Sequence, residues 1–195
     1  MEAGRQTSLA QLVAGDSRRR RLGELFGRVV NAPVVGPWLA RVARLPNQVP
    51  FITTRVTRFH AWLLRRSGGR LRRSWLFAAG QPVLALTTTG RRSGQPRSTP
   101  VACFIDGDDL VVAGMNLGRT NQPAWALNLE AHPDAQVTVG GQTIDVTAQL
   151  AAGDRRERLW QRWVDLQPSA EAFRQLAERE IPLFVLTPSE GRHGR

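Results

Sequence analysis

The stretch Pro82-Val-Leu-Ala-Leu-Thr-Thr-Thr89, followed by Gly90-Arg-Arg-Ser-Gly-Gln-Pro96 and Arg97-Ser-Thr-Pro-Val-Ala-Cys-Phe-Ile105, decides the fold. Its outer parts are short apolar runs rich in Val, Ile, Thr and Phe, which suit a pleated, half-buried strand. The middle part holds two Gly, a Ser and a Pro, which suit a turn. Strand, polar turn and returning strand are therefore expected over 82–105. Working outward, Asp106-Gly-Asp-Asp109 turns the chain into a third strand, Leu110 to Gly114. A loop from Met115 to Pro123 leads into a short helix, Ala124 to Ala131, stopped by His132-Pro133. Gln136 to Val139 and Thr143 to Leu150 flank Gly140-Gly141, a hairpin signal. Asp154 with Glu157 resembles a capping box opening a helix that carries Leu159, Trp160, Trp163 and Val164. A further helix is expected over 169–180 and a last strand from Ile181 to Leu186. Six short strands with late helices predict an α+β chain, mainly β, built as a small β-barrel with helical cover.

Upstream the texture is different. Arg18-Arg-Arg-Arg21 precedes Leu22, Leu25, Phe26, Val29 and Val30, the spacing of an amphipathic helix. Further helices are expected near 37–45 and over 51–66. The division predicted is a basic amphipathic helical extension over 1–80 and a barrel domain over 81–195. No upstream run reaches the roughly 20 apolar residues of a membrane span. Glu24 and Arg28 interrupt the one candidate signal-peptide core.

Composition narrows the chemistry. The 195 residues carry 27 basic and 16 acidic groups, a net of +11, and every basic residue is Arg. Residues 1–100 hold 18 Arg against Glu2, Asp16 and Glu24, whereas residues 101–195 hold 9 Arg against 13 acids. The excess is therefore N-terminal, which favours an anionic partner. The chain has no Lys and no Tyr, which excludes Schiff-base lysine chemistry and a tyrosine acid or base. One cysteine, Cys103, rules out an internal disulfide framework, fits a reducing cytoplasm, and reads as a buried thiol in mid-strand.

No metal site is expected, since His60, His132 and His193 are scattered without paired spacing. Neither a Walker sequence nor a dinucleotide fingerprint is present. No side-chain nucleophile stands beside a base, so no catalytic residue is assigned and a bound cofactor is expected to carry the chemistry. The turn Thr87 to Arg97 concentrates three Arg, four hydroxyls and two Gly. Exposed backbone N–H groups and guanidinium forks at such a turn can cradle an anion.

Together with that turn, Asn121-Gln-Pro-Ala-Trp-Ala-Leu-Asn-Leu129, His132-Pro133 and Arg179-Glu-Ile-Pro-Leu-Phe-Val-Leu-Thr-Pro188 resemble the deazaflavin-dependent nitroreductase family. These are actinobacterial split β-barrel reductases that use coenzyme F420. The resemblance spans roughly 55–188. It implies that the barrel is a six-stranded split barrel with a deazaflavin in a groove. It puts the phosphate and tail on Arg91, Arg92, Ser93 and Arg97. It puts the ring side on Ser98, Thr99, Pro100, Ala113, Gly114, Met115, Asn116, Ala124, Trp125 and Asn128. The substrate pocket would fall at Ala102, Ala170 and Phe173. The implied reaction is hydride transfer from reduced F420 to a quinone, enone or nitro compound. Two departures stand out. Members with nitroreductase activity tend to carry tyrosines at positions matching Ala102 and the segment Gln167 to Phe173. The family's frequent Ser-Lys-Gly-Gly loop reads Met115-Asn-Leu-Gly118 here.

Three readings follow from the sequence. The first is an F420-dependent reductase with an altered acceptor pocket, cytoplasmic and peripheral on the inner membrane face through residues 18–66. The second is a non-catalytic split-barrel protein holding a lipid or another apolar ligand at the membrane. The third, nucleic-acid binding through the basic half, is the least expected, so no nucleic-acid partner is assigned.

Overall fold

A computed structural model of the chain describes Val13 and residues 81–189. The first hairpin is β1 (Val83–Thr89) and β2 (Pro96–Asp106), paired antiparallel from Val83↔Ala102 to Thr89↔Pro96. There follow β3 (Asp109–Ala113), a 3-10 turn at Asn116–Gly118, α1 (Ala124–Ala131), β4 (Asp134–Val139) and β5 (Gln142–Leu150). Helices α2 (Gly153–Leu166) and α3 (Ser169–Ala177) precede β6 (Leu183–Pro188). The strands close into a barrel in the order β1-β2-β3-β6-β5-β4, every pair antiparallel. Closure leaves no sheet edge unpaired around the ring.

Because side chains alternate across a strand, each strand sorts its residues by parity. Leu84 and Leu86, Val101 and Cys103, Leu110 and Val112, Val137 and Val139, Val146 and Ala148, and Phe184 and Leu186 form one buried cluster inside the barrel. Trp125, Ala126 and Leu129 of α1 belong to it. The intervening residues Phe104, Val111, Leu183 and Val185 meet Leu159, Trp160, Trp163, Ala170 and Ala177 of α2 and α3 in a second cluster. Trp163 is wholly buried there, edge-on to Phe104 with centroids 5.5 Å apart. Each such large side chain contributes about 1.5–3 kcal/mol by leaving water. Gly140 and Gly141 turn β4 into β5 with φ of 61° and 84°, as a two-residue hairpin of this twist requires.

Three expectations shift. Helix α2 starts at Gly153 with Ala152 as its N-cap and no side-chain cap, so Asp154 sits in the first turn and the capping box does not form. Helix α3 stops at Ala177, three residues early, because Glu178 takes a left-handed conformation at φ 51°. The last strand then runs Leu183–Pro188, because its pairing with β3 begins only at Leu183↔Ala113. The upstream helices, the 1–80 extension, His60 and His193 lie outside the described residues. No helix among the described residues is long and apolar enough to cross a membrane.

Candidate functional site

The inward face of the first hairpin changes chemistry along its length. The cross-strand pairs Leu84↔Val101, Leu86↔Thr99 and Thr88↔Arg97 share one side of the sheet. The first is buried and apolar, and the last presents a hydroxyl and a guanidinium. A groove of about 740 Å³ opens at that end, between the turn after β1 and helix α1. Volumes of this order suit a small molecule or cofactor.

The turn is built to hold its shape. Gly90 N–H donates to Gln95 O at 2.9 Å, Gly94 N–H to Gly90 O at 2.7 Å, and Gln95 N–H to Ser93 Oγ at 3.3 Å. A Cβ on Gly90 would lie 2.8 Å from Ser93 Oγ and 3.0 Å from Gln95 O, so any larger residue forces the serine and the carbonyl to shift. Helix α1 then fastens the turn to the barrel. Asn128, 5% exposed, donates through Nδ2 to Thr88 Oγ1 at 3.0 Å, and its Oδ1 accepts the Arg91 N–H at 3.1 Å. Thr88 Oγ1 also donates to Arg97 O at 3.5 Å. Two polar side chains can be buried here because each finds a partner.

Of the fourteen residues expected around the cofactor, nine line this groove: Arg91, Arg92, Ser93, Arg97, Ser98, Thr99, Ala124, Trp125 and Asn128. The groove brings in three more, Thr88, Gly90 and Pro96. Thr88 had a legible signal, since it continues the inward parity of Leu84 and Leu86. The other five lie elsewhere. Pro100 pairs with Ala85 on the β1–β2 ladder. Ala113 and Met115 pack against the second core cluster. Gly114 N–H donates to Pro182 O at 2.9 Å, and Asn116 Nδ2 donates to Asn121 O at 2.9 Å. The three positions expected in the substrate pocket are not among the groove's lining. Ala170 is wholly buried in the second cluster, Ala102 packs against it, and Phe173 is half-buried on α3 beside Gly118.

Electrostatics separate the arginines. Arg155 pairs with Asp109, Arg156 with Glu157 and Glu180, Arg162 with Asp106, and Arg174 with Glu171. The guanidinium groups of Arg91, Arg92 and Arg97 have no carboxylate partner among the described residues, and all three are exposed on the groove. Among the described residues the lining contains no carboxyl, imidazole or thiol. Such a set binds anions and offers an apolar wall, but it moves no protons itself. The donors fit a coenzyme with a phosphate and an acidic tail, and Ala124 and Trp125 fit a flat ring. Cys103 stays outside this chemistry: burial pushes its thiol up to about 12.

Comparison with known proteins identifies the family. The family model for the F420H2-dependent quinone reductases matches residues 56–188. The F420H2-dependent quinone reductase Rv1261c of Mycobacterium tuberculosis is 30% identical over 141 residues, covering 70% of this chain and 92% of the relative. A second M. tuberculosis protein, Rv3178, which bears the same designation provisionally, is 33% identical over 107 residues, 55% of this chain and 90% of its own. A solved structure of an F420H2-dependent reductase is 28% identical, with a TM-score of 0.49, covering 54% of this chain and 93% of that one. A family match over two-thirds of the sequence, on a chain that folds as a six-stranded barrel, leads to one conclusion: the chain belongs to the F420H2-dependent quinone reductase family.

Proposed function

We propose that the groove between the basic turn and α1 binds reduced F420 and that the protein delivers its hydride to a quinone. One observation carries the reading. Three guanidinium groups without carboxylate partners among the described residues converge on a turn that Asn128 locks to the barrel. When bound, the reduced deazaflavin supplies the hydride. Arg91, Arg92 and Arg97 hold its phosphate and acidic tail through charge-assisted bonds. Asn128 and Thr88 keep that anchor at a fixed height over the barrel mouth. Trp125 and Ala124 exclude water from one side of the ring and orient it, which is where a cofactor enzyme's protein part contributes. Reduction of a quinone also needs a proton; among the described residues the groove's lining offers no acid, and this reading assigns the proton to solvent water.

Within the same reading, the acceptor is an apolar quinone met at an anionic membrane surface through residues 18–66. The support is the N-terminal excess of arginine alongside apolar stripes. Co-sedimentation with anionic and neutral vesicles tests it, and equal binding to both would count against it. The enzymatic reading is tested by mixing purified protein with reduced F420 and menadione and following coenzyme oxidation. Acceleration over the protein-free rate is expected. Native mass spectrometry showing an acyl-chain ligand, with no turnover, would favour the non-catalytic alternative instead.

A further inference from the structure

Backbone strain in this protein gathers at one place away from the groove. Among the described residues, Asn116, Leu117 and Glu178 are the non-glycine positions with positive φ, at 46°, 55° and 51°. They flank a single side chain. Arg179 Nη2 donates to Gly114 O at 2.9 Å and its Nε donates to Arg119 O at 3.3 Å, so one guanidinium grips both ends of the turn at Asn116–Gly118. Nη1 is spent on Glu180 O at 3.1 Å. Partial desolvation lowers the Arg179 pKa from its usual value, as expected for a cation turned toward carbonyls and away from water. On the opposite side, Gly118 lies so close to α3 that a Cβ would sit 2.9 Å from Leu176 Cβ.

On its C-terminal side the gripped turn leads directly toward α1. It runs through Asn121, tied back by Asn116 Nδ2 at 2.9 Å, to Pro123, whose carbonyl accepts the Ala126 N–H at 3.1 Å and opens α1. Ala124 and Trp125 of that first helical turn are the groove's apolar wall. Strained residues persist only where their surroundings hold them, and they concentrate where a geometry is used. We infer that Arg179 is a positioning residue: by gripping the strained 114–119 turn it sets the arm that delivers Ala124 and Trp125 to the groove. Its consequence for coenzyme binding rests on the groove being the F420 site, whereas its consequence for the arm does not.

The test joins two readouts on the full-length protein. In hydrogen exchange without coenzyme, Arg179→Gln is expected to accelerate the amides of Gly118, Arg119, Ala126 and Leu127 about tenfold or more. The amides of Ser93 and Gly94 and those of β4 and β5 stay as in the wild type. Arg179→Lys, which keeps charge but not the fork, falls between. Asn116→Ala, which removes the second tie, gives a weaker change in the same place. In steady-state kinetics Arg179→Gln raises KM for reduced F420 about fivefold, as for a wall in place about one-fifth of the time, with kcat nearly unchanged. Unaltered exchange in the arm, or acceleration spread evenly over the barrel, overturns the positioning role. A wild type that binds no F420 overturns the proposed function instead, and the exchange result still decides the role of Arg179.

Discussion

Asn128 on α1 and Thr88 on β1, 40 positions apart, share a 3.0 Å hydrogen bond that joins the helix to the strand carrying the basic turn. The other atom of the same amide accepts the Arg91 N–H at 3.1 Å. Asn128→Leu roughly keeps the volume and removes both bonds, leaving the part-buried Arg91 N–H without this acceptor and the Thr88 hydroxyl with only its long bond to the Arg97 carbonyl. Stability should fall by about 1–3 kcal/mol, with F420 affinity falling alongside. Thr88→Val removes the shared bond from the other side. A double-mutant cycle from denaturant melts should give a coupling of about 0.5 kcal/mol or more, and strict additivity would deny the link.

The two glycines of the turn should behave differently. Gly90→Ala drives a Cβ to 3.0 Å from the Gln95 carbonyl, so the turn must open. Gly94 has open space around its Cβ position but φ of +65°, so Gly94→Ala costs only conformational strain, about 1–2 kcal/mol. F420 titration should show Gly90→Ala losing far more affinity than Gly94→Ala. The reverse order would mean that the turn's shape is not what the ligand reads.

Leu117 offers a comparison of the same kind on the strained loop. It is 40% exposed at φ 55°. Leu117→Gly relieves the strain while giving up chain stiffness, and should leave stability within about 1 kcal/mol. Leu117→Val puts a β-branched residue there and should cost about 1–2 kcal/mol, read as a lower thermal midpoint.

Alkaline stability should report a single thiol. With no Lys or Tyr in the chain, Cys103 is the one side chain other than arginine whose pKa falls between about 9 and 12. Its folded pKa of about 12 lies above the unfolded value near 9.0, so the unfolded state loses its proton first. The stabilisation is therefore complete below about pH 9 and is lost as pH rises toward 12, by at most about 1.4 kcal/mol per unit. Denaturant melts across that range should show this slope in the wild type and a clearly shallower profile in Cys103→Ala.

The barrel was legible because its cause is local. Alternating parity, the Gly140-Gly141 turn and the breaks at Gly90 and His132-Pro133 are all written in neighbouring residues, and six strands form where they suggest. The misses have non-local causes. Helix α3 ends early because Glu178 adopts a left-handed conformation more often taken by glycine, and nothing in Ala177-Glu-Arg179 announces it. The arginine cluster at the turn could be read as an anion cradle, but its fastening by Asn128 depends on a contact 37 positions away. Ala102 and Ala170 drew attention by matching family positions. In the fold Ala170 sits on α3 in the second buried cluster and Ala102 packs against that cluster, since parity places it with Phe104; neither lines the groove.

The central claim is that the exposed arginines of the turn hold the anionic end of F420. Fluorescence titration with oxidised F420, for the wild type and an Arg92→Ala/Arg97→Ala variant, tests it most directly. Each exposed contact is worth about 1 kcal/mol, so the double variant should bind at least tenfold more weakly. Wild-type affinity should fall as salt rises, and that dependence should flatten in the variant. Equal affinities and equal salt dependence in the two proteins would contradict the account.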